Sequence, residues 1–171
     1  FDGIQTLLGR RKWPLPSLSG VAVSIGPGSF TGIRIGLAVA RALGQGLKIP
    51  VVGVSALDVL AAGAATSASW RAPQIDALRD QVFTALFKRE RSGRLKRVVS
   101  ETMRPSAEAK IEFQHYAKKE SLWISPLKGY YPEAGVLLEL ARPLLAKAKP
   151  DSYRRVLPLY IRKSSAEERR S

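Results

Sequence analysis

An α/β protein with a parallel strand–helix–strand unit is the fold class this sequence predicts, and three neighbouring stretches predict it. Val21-Ala22-Val23-Ser24-Ile25 is apolar and rich in β-branched residues, the pattern of a buried strand. Gly26-Pro27-Gly28 forces a turn, and Ser29 is suited to cap a helix running to Leu47. Ile49-Pro50-Val51-Val52-Gly53-Val54 then gives a second buried strand. Two strands joined through a helix imply a parallel pair with a right-handed crossover.

The other elements follow in order. Phe1, Ile4, Leu7 and Leu8 have helical spacing and predict the last turns of a helix. Without an initiating Met, the sequence is expected to be part of a longer chain. Pro14 and Pro16 make Arg10 to Ser19 a loop. Ser55 is placed to cap a helix reaching about Ala65. Thr66 to Ala72 reads as a small, polar loop and a boundary, dividing a first lobe, 1–72, from a second, 73–171. Asp76 to Arg89 predicts paired strands, with Val82, Thr84, Leu86 and Lys88 on one face and Phe83, Ala85 and Phe87 on the other. Arg94 to Thr102 is a further strand, Ser106 to Glu120 a helix and Leu122 to Ile124 a short strand. Pro132 suits the first turn of a helix whose apolar face is Val136, Leu137, Leu140, Leu144 and Leu145, with Pro143 kinking it. Val156 to Ile161 is extended, an edge strand at best because Pro158 lacks a donor, and a charged tail follows.

Composition narrows the chemistry. Cysteine is absent, which excludes disulfides and thiol nucleophiles, and His115 is the single imidazole. No apolar run approaches the length of a membrane span. The 28 Lys and Arg against 14 Asp and Glu leave +14, a balance that fits RNA or an acidic partner through long-range attraction. A generally basic proteome accounts for it equally well.

The helix after Ser29 carries Gly32, Gly36, Ala40 and Gly44 at steps of four, one nearly bald stripe. An interior helix glycine costs roughly 1 kcal/mol against alanine. The stripe therefore needs close packing, either inside the fold or against a partner helix. Gly26, Gly28 and Ser29 stand before a helix N-terminus and could contact a nucleotide or another anion. They complete neither a Walker loop nor the dinucleotide fingerprint, and a tight turn explains them as well. Arg34 and Arg41 share one helix face, to pair with acids of another chain or to stay solvated. Asp76 and Asp80 could hold a cation or serve as acid and base, but as turn residues they need neither role.

Val21 to Leu37, followed by Ile49-Pro50-Val51-Val52-Gly53-Val54-Ser55-Ala56-Leu57, closely resembles the bacterial TsaB family, also called YeaZ. Ile75-Asp76-Ala77 leading into Val82-Phe83 is similar to a second family segment. Leu157-Pro158-Leu159-Tyr160-Ile161-Arg162-Lys163-Ser164 with Ala166-Glu167-Glu168 is similar to its C-terminal signature. The resemblance implies an actin-like, ribonuclease-H-like fold of two related lobes, with the strands that open the family's N-terminal lobe missing ahead of Phe1. It implies a cytoplasmic, non-catalytic scaffold in the complex that puts threonylcarbamoyl on N6 of adenosine 37 in tRNA. The partners implied are TsaD and the ATPase TsaE, with a homodimer when the protein is alone and tRNA met through the complex. No cofactor of its own is implied; ATP and metal belong to the partner subunits. Gly32, Gly36, Ala40 and Gly44 would be the contact line toward TsaD, flanked by Phe30, Ile33, Leu37 and Leu43. Two alternatives are a glycoprotease-like (M22-type) peptidase and a nucleotide-binding, sugar-kinase-like module.

Overall fold

Two β-sheets organise the chain, and a computed structural model describes residues 2–161 of it. The first sheet pairs β1 (Val21–Ser24) with β2 (Val51–Val54) in parallel, Val21 opposite Val51 and Ser24 opposite Val54. The crossover is α2 (Phe30–Leu47), as the strand–helix–strand pattern predicts. Side-chain alternation gives this small sheet two apolar faces. Val21, Val23 and Val51 meet Ile33, Leu37 and Ala40 of α2. Ala22, Val52 and Val54 meet α5 (Ala134–Leu145) through Val136, Leu137, Leu140 and Ala141.

The second sheet is built on β5 (Gln81–Arg89), which pairs antiparallel with β6 (Leu95–Pro105) on one side. On its other side lie β3 (Trp70–Ala72) and β4 (Gln74–Asp76), and β7 (Leu122–Ile124) runs parallel to β3. Both faces of β5 are covered, matching the predicted alternation. Val82 and Leu86 pack with Phe113 of α4 (Ser106–Ala117), while Ala85 and Phe87 pack with Leu57 and Leu60 of α3 (Ala56–Gly63). The first helix, α1 (Asp2–Arg10), is where the spacing of Ile4, Leu7 and Leu8 places it.

Several local expectations are corrected. Residues 70–72 are a buried strand and no loop, so β3, assigned above to the first lobe, pairs within the second sheet. Conversely, α5 and the 3-10 turn Pro150–Arg154, assigned to the second lobe, pack on the first sheet. Val156 to Ile161 forms no strand, although the Leu159 N–H donates to the Ile25 carbonyl at 2.8 Å. Pro132 precedes α5 rather than opening it, and the helix runs through Pro143 to Leu145. A short 3-10 turn, Leu15–Ser17, interrupts the loop after α1. Ser55 stands at the start of α3, but its hydroxyl makes no capping bond. The charged tail from Arg162 onward, with the end of the C-terminal signature, lies outside the described residues.

Candidate functional site

The turn into α2 is held from three directions. Gly26 has φ +102°, a backbone region hostile to side chains, and a Cβ there would sit 2.8 Å from Ile33 Cδ1. Its carbonyl accepts from the Ala56 N–H at 2.7 Å, which ties the turn to the start of α3. Ser29 caps α2 as the sequence predicts, its hydroxyl accepting from the Gly32 N–H at 3.2 Å. Gly26 is thus buried and structural, while Gly28 and Ser29 reach a cleft of about 470 Å³. Ser24, Gln74, Asp76, Tyr130 and Tyr131 also line that cleft. Its lining includes one carboxylate and no Lys or Arg, so an anion there would meet only the helix N-terminus for attraction.

The four small residues of α2 do not behave alike. Gly44 and Ala40 are buried under their own chain. A Cβ on Gly44 would fall 2.3 Å from Val51 Cγ2 and 3.2 Å from Tyr153 Cβ. Leu37 and Leu43 are buried beside them. At the other end, a Cβ on Gly36 would have Val23 Cγ2 at 3.9 Å as its neighbour, an ordinary contact, and one on Gly32 would touch Ser29 alone, at 3.4 Å. Phe30 is 39% exposed and Ile35 60% exposed, while Ile33 is half-buried. Of the eight residues expected on a contact line, Leu37, Ala40, Leu43 and Gly44 therefore belong to the interior. Phe30 and Gly32 are exposed and Gly36 is half-buried, while Ile33 packs inward against the first sheet. Beside them, an apolar groove of about 440 Å³ runs between α1 and the free edge of β1, bounded by Ile4, Leu7, Ala22, Gly36 and Val39.

Arg34 and Arg41 both bond the C-terminal segment of their own chain, Arg34 remaining exposed and Arg41 half-buried. Arg41 donates through Nε to the Tyr153 carbonyl at 3.0 Å and through Nη2 to the Arg154 carbonyl at 3.2 Å. Arg34 donates through Nε to the Tyr160 hydroxyl at 2.8 Å and lies 3.8 Å over the Phe30 ring. Both guanidinium groups strap the C-terminal segment onto α2. Asp76 accepts from the Leu78 N–H at 2.8 Å, a turn-forming role. His115 is exposed on α4, and no three of His, Asp and Glu cluster at metal-binding spacing among the described residues.

One buried charge escaped the sequence reading. Arg71 is 7% exposed, yet Nη1 donates to the Ala61 carbonyl at 2.6 Å and Nη2 to the Thr66 carbonyl at 2.9 Å. Burial, and then the nearby Arg89, hold its pKa below the ordinary arginine value. Tyr130, which donates to the Leu60 carbonyl at 2.9 Å, has its phenol pKa raised, chiefly by burial. Nothing in the local pattern Trp70-Arg71-Ala72 signals a buried cation, because the partners come from α3 and the loop after it.

The family model described as "TsaD: tRNA N6-adenosine threonylcarbamoyltransferase" matches residues 2–133. A tRNA threonylcarbamoyladenosine biosynthesis protein TsaB of Bacillus subtilis is 42% identical over 99 residues, which are 58% of this chain and 43% of that protein. The Escherichia coli protein of the same description is 36% identical over 92 residues, 53% of this chain and 40% of its own length. These matches thus span about two fifths of the curated relatives. YeaZ from Pseudomonas aeruginosa superposes with a TM-score of 0.71 at 25% identity, covering 92% of this chain and 81% of that one. A second Pseudomonas aeruginosa structure, described as an uncharacterized protein with similarity to peptidase YEAZ, gives 0.71 at 27% identity, covering 93% and 81%. The mixed α/β architecture is therefore the actin-like fold that the resemblance implied.

Proposed function

Because this chain belongs to the TsaB (YeaZ) family, we propose that it is a non-catalytic subunit of the cytoplasmic machinery that installs threonylcarbamoyl on N6 of adenosine 37 in tRNA. In this reading it is a scaffold that pairs with TsaD, works with TsaE, and forms a homodimer when alone. The observation that carries the reading is the open N-terminal half of α2. Gly32 and Gly36 cost helix stability, roughly 1 kcal/mol each against alanine. Among the described residues, a Cβ at Gly32 would meet Ser29 at 3.4 Å and one at Gly36 would meet Val23 at 3.9 Å, with no backbone of another element packed over them. A partner helix approaching closely across Phe30, Gly32, Ile33 and Gly36 would account for that loss, and the groove beside Val39 would widen the contact.

A scaffold also suits the side chains at hand. His115 is exposed on the outer face of α4, outside the cleft, with neither a hydroxyl nor a carboxylate bonded to it among the described residues. ATP and metal would belong to the partner subunits. A nucleotide contacting this subunit would enter the cleft at Gly28 and Ser29, with the α2 N-terminus as its attraction.

The test is Gly36→Leu in the full-length protein. The new side chain would make ordinary contact with Val23 and extend into the groove and cleft that Gly36 lines, so the fold should hold while TsaD no longer co-purifies and tRNA modification stops. Retained co-purification with unchanged modification overturns the helix-contact reading. A Gly36→Ala control should keep both.

A further inference from the structure

The hairpin joining β5 to β6 concentrates charge that the helix contact leaves unused. Lys88, Arg89, Arg91, Arg94, Lys96 and Arg97 face a single acid, Glu90, within ten residues. That is +5 of the chain's +14. The register places Lys88 directly opposite Lys96, a like-charge pairing that weakens a sheet. Some of the repulsion is relieved: Lys88 Nζ lies 3.2 Å from Glu120, and Arg97 bonds Asp58 and Glu101 at 2.6 Å each. Arg89, Arg91, Arg94 and Lys96 are exposed and form no ion pair among the described residues.

These cations sit on a hydrogen-bonded two-stranded ribbon. The Glu90 N–H donates to the Arg94 carbonyl at 2.8 Å and the Gly93 N–H to the Glu90 carbonyl at 2.9 Å, with Gly93 at φ +84° closing the turn. An open depression of about 650 Å³ runs along Arg89, Arg91 and Lys96. Lys118 and Lys119 precede Glu120, the residue bonded to Lys88, and extend the basic surface toward α4.

The composition of the tip selects its partner. Protein interfaces carry an apolar or aromatic centre, and here Val98 is the one large apolar side chain well exposed, at 41%. Phe87 is buried, so the tip also lacks a platform on which unpaired bases could stack. What remains is a cluster of exposed cations around the turn and on both faces of the ribbon, mostly arginines, whose planar forks match phosphate oxygens. We propose that the β5–β6 hairpin docks the phosphate backbone of a folded, largely base-paired RNA. It depends on the preceding reading only for identifying that RNA as tRNA.

The experiment measures binding of labelled tRNA to the full-length protein, alone and with TsaD, across a salt series. It compares the parent with a variant carrying Arg89→Gln, Arg91→Gln, Arg94→Gln and Lys96→Gln. Each phosphate that the variant no longer neutralises should flatten the log–log salt slope by roughly 0.9, so a fall of about three to four is expected. At about 0.1 M salt the affinity should drop at least tenfold. A single Arg91→Glu variant, confined to the turn, repeats the test should the fourfold variant fold poorly. Unchanged slope and affinity in a folded variant mean a merely solvated face and overturn the proposal. Weakened TsaD association with unchanged tRNA binding means a protein contact, and overturns it equally. If the hairpin variants lose tRNA while Gly36→Leu keeps its partner, the docking surface stands and the helix-contact reading falls. The reverse pattern sinks the docking surface alone.

Discussion

The two halves of α2 spell the same motif for different reasons. Ala40 and Gly44 lie where β2 and the Pro150–Arg154 turn close in, and the interior has no room for a methyl group at Gly44. Gly32 and Gly36 continue the stripe at the same four-residue spacing, yet a Cβ there would meet only Ser29 at 3.4 Å or Val23 at 3.9 Å among the described residues. Close approach of backbones is the common requirement. In one half the approaching backbone belongs to the same chain; in the other the described residues supply none. A bald stripe therefore marks a close approach within the chain at Gly44, and only the proposed partner helix would give Gly32 and Gly36 the same cause.

The sharpest way to break this contrast is at Gly44. Gly44→Leu should prevent stable folding, since a Cβ alone already collides with Val51 and Tyr153. Gly44→Ala should cost about 1–3 kcal/mol from overpacking against a gain of roughly 1 kcal/mol in helix propensity, a net loss of up to about 2 kcal/mol. Denaturant unfolding measures it, and a stabilised Gly44→Ala would refute the division of the helix. Arg41→Ala comes next. It strips donors from the half-buried Tyr153 carbonyl and from Arg154, and should lower stability by about 1–2 kcal/mol.

Gly36→Ala should move the other way. Its new methyl meets Val23 Cγ2 at 3.9 Å, ordinary van der Waals contact. The isolated protein should gain about 0.5–1 kcal/mol from helix propensity. Opposite signs at Gly36 and Gly44 in the same unfolding assay are the signature of the two-cause reading. Equal signs would erase it.

The same contrast marks what the sequence could reveal. Val21 to Val54 was legible because strand, turn, cap and helix each have a local signature: β-branched runs, Gly26 and Gly28, and Ser29. The alternation along Val82 to Phe87 was legible because both faces of β5 are buried against helices. Residues 70–72 were not, for a three-residue strand shows no period and Arg71 looks like a surface residue until Ala61 and Thr66 supply carbonyls. Nor could pattern place the C-terminal segment against α2. Ser152 reaches Val51, bonding both its N–H and its carbonyl, across about a hundred residues of sequence. Half of the expected contact line turned inward for that reason: the covering segment lies far along the chain.

The smallest effect belongs to Arg34, and it is the most discriminating. Arg34 sits on the open half, yet it holds Tyr160 by a 2.8 Å bond and covers Phe30 at 3.8 Å. An exposed cation–π contact contributes about 0.5–1 kcal/mol, and water readily replaces the bond to an exposed hydroxyl. Arg34→Ala should therefore cost at most about 1 kcal/mol, less than Arg41→Ala. Its consequence should appear instead in local protection: amide exchange at Leu159, bonded to Ile25, should speed up while β1 and β2 stay protected. A global loss as large as that of Arg41→Ala would mean that the C-terminal strap closes the whole length of α2, and that its N-terminal half is no more available to a partner than the half beneath Tyr153.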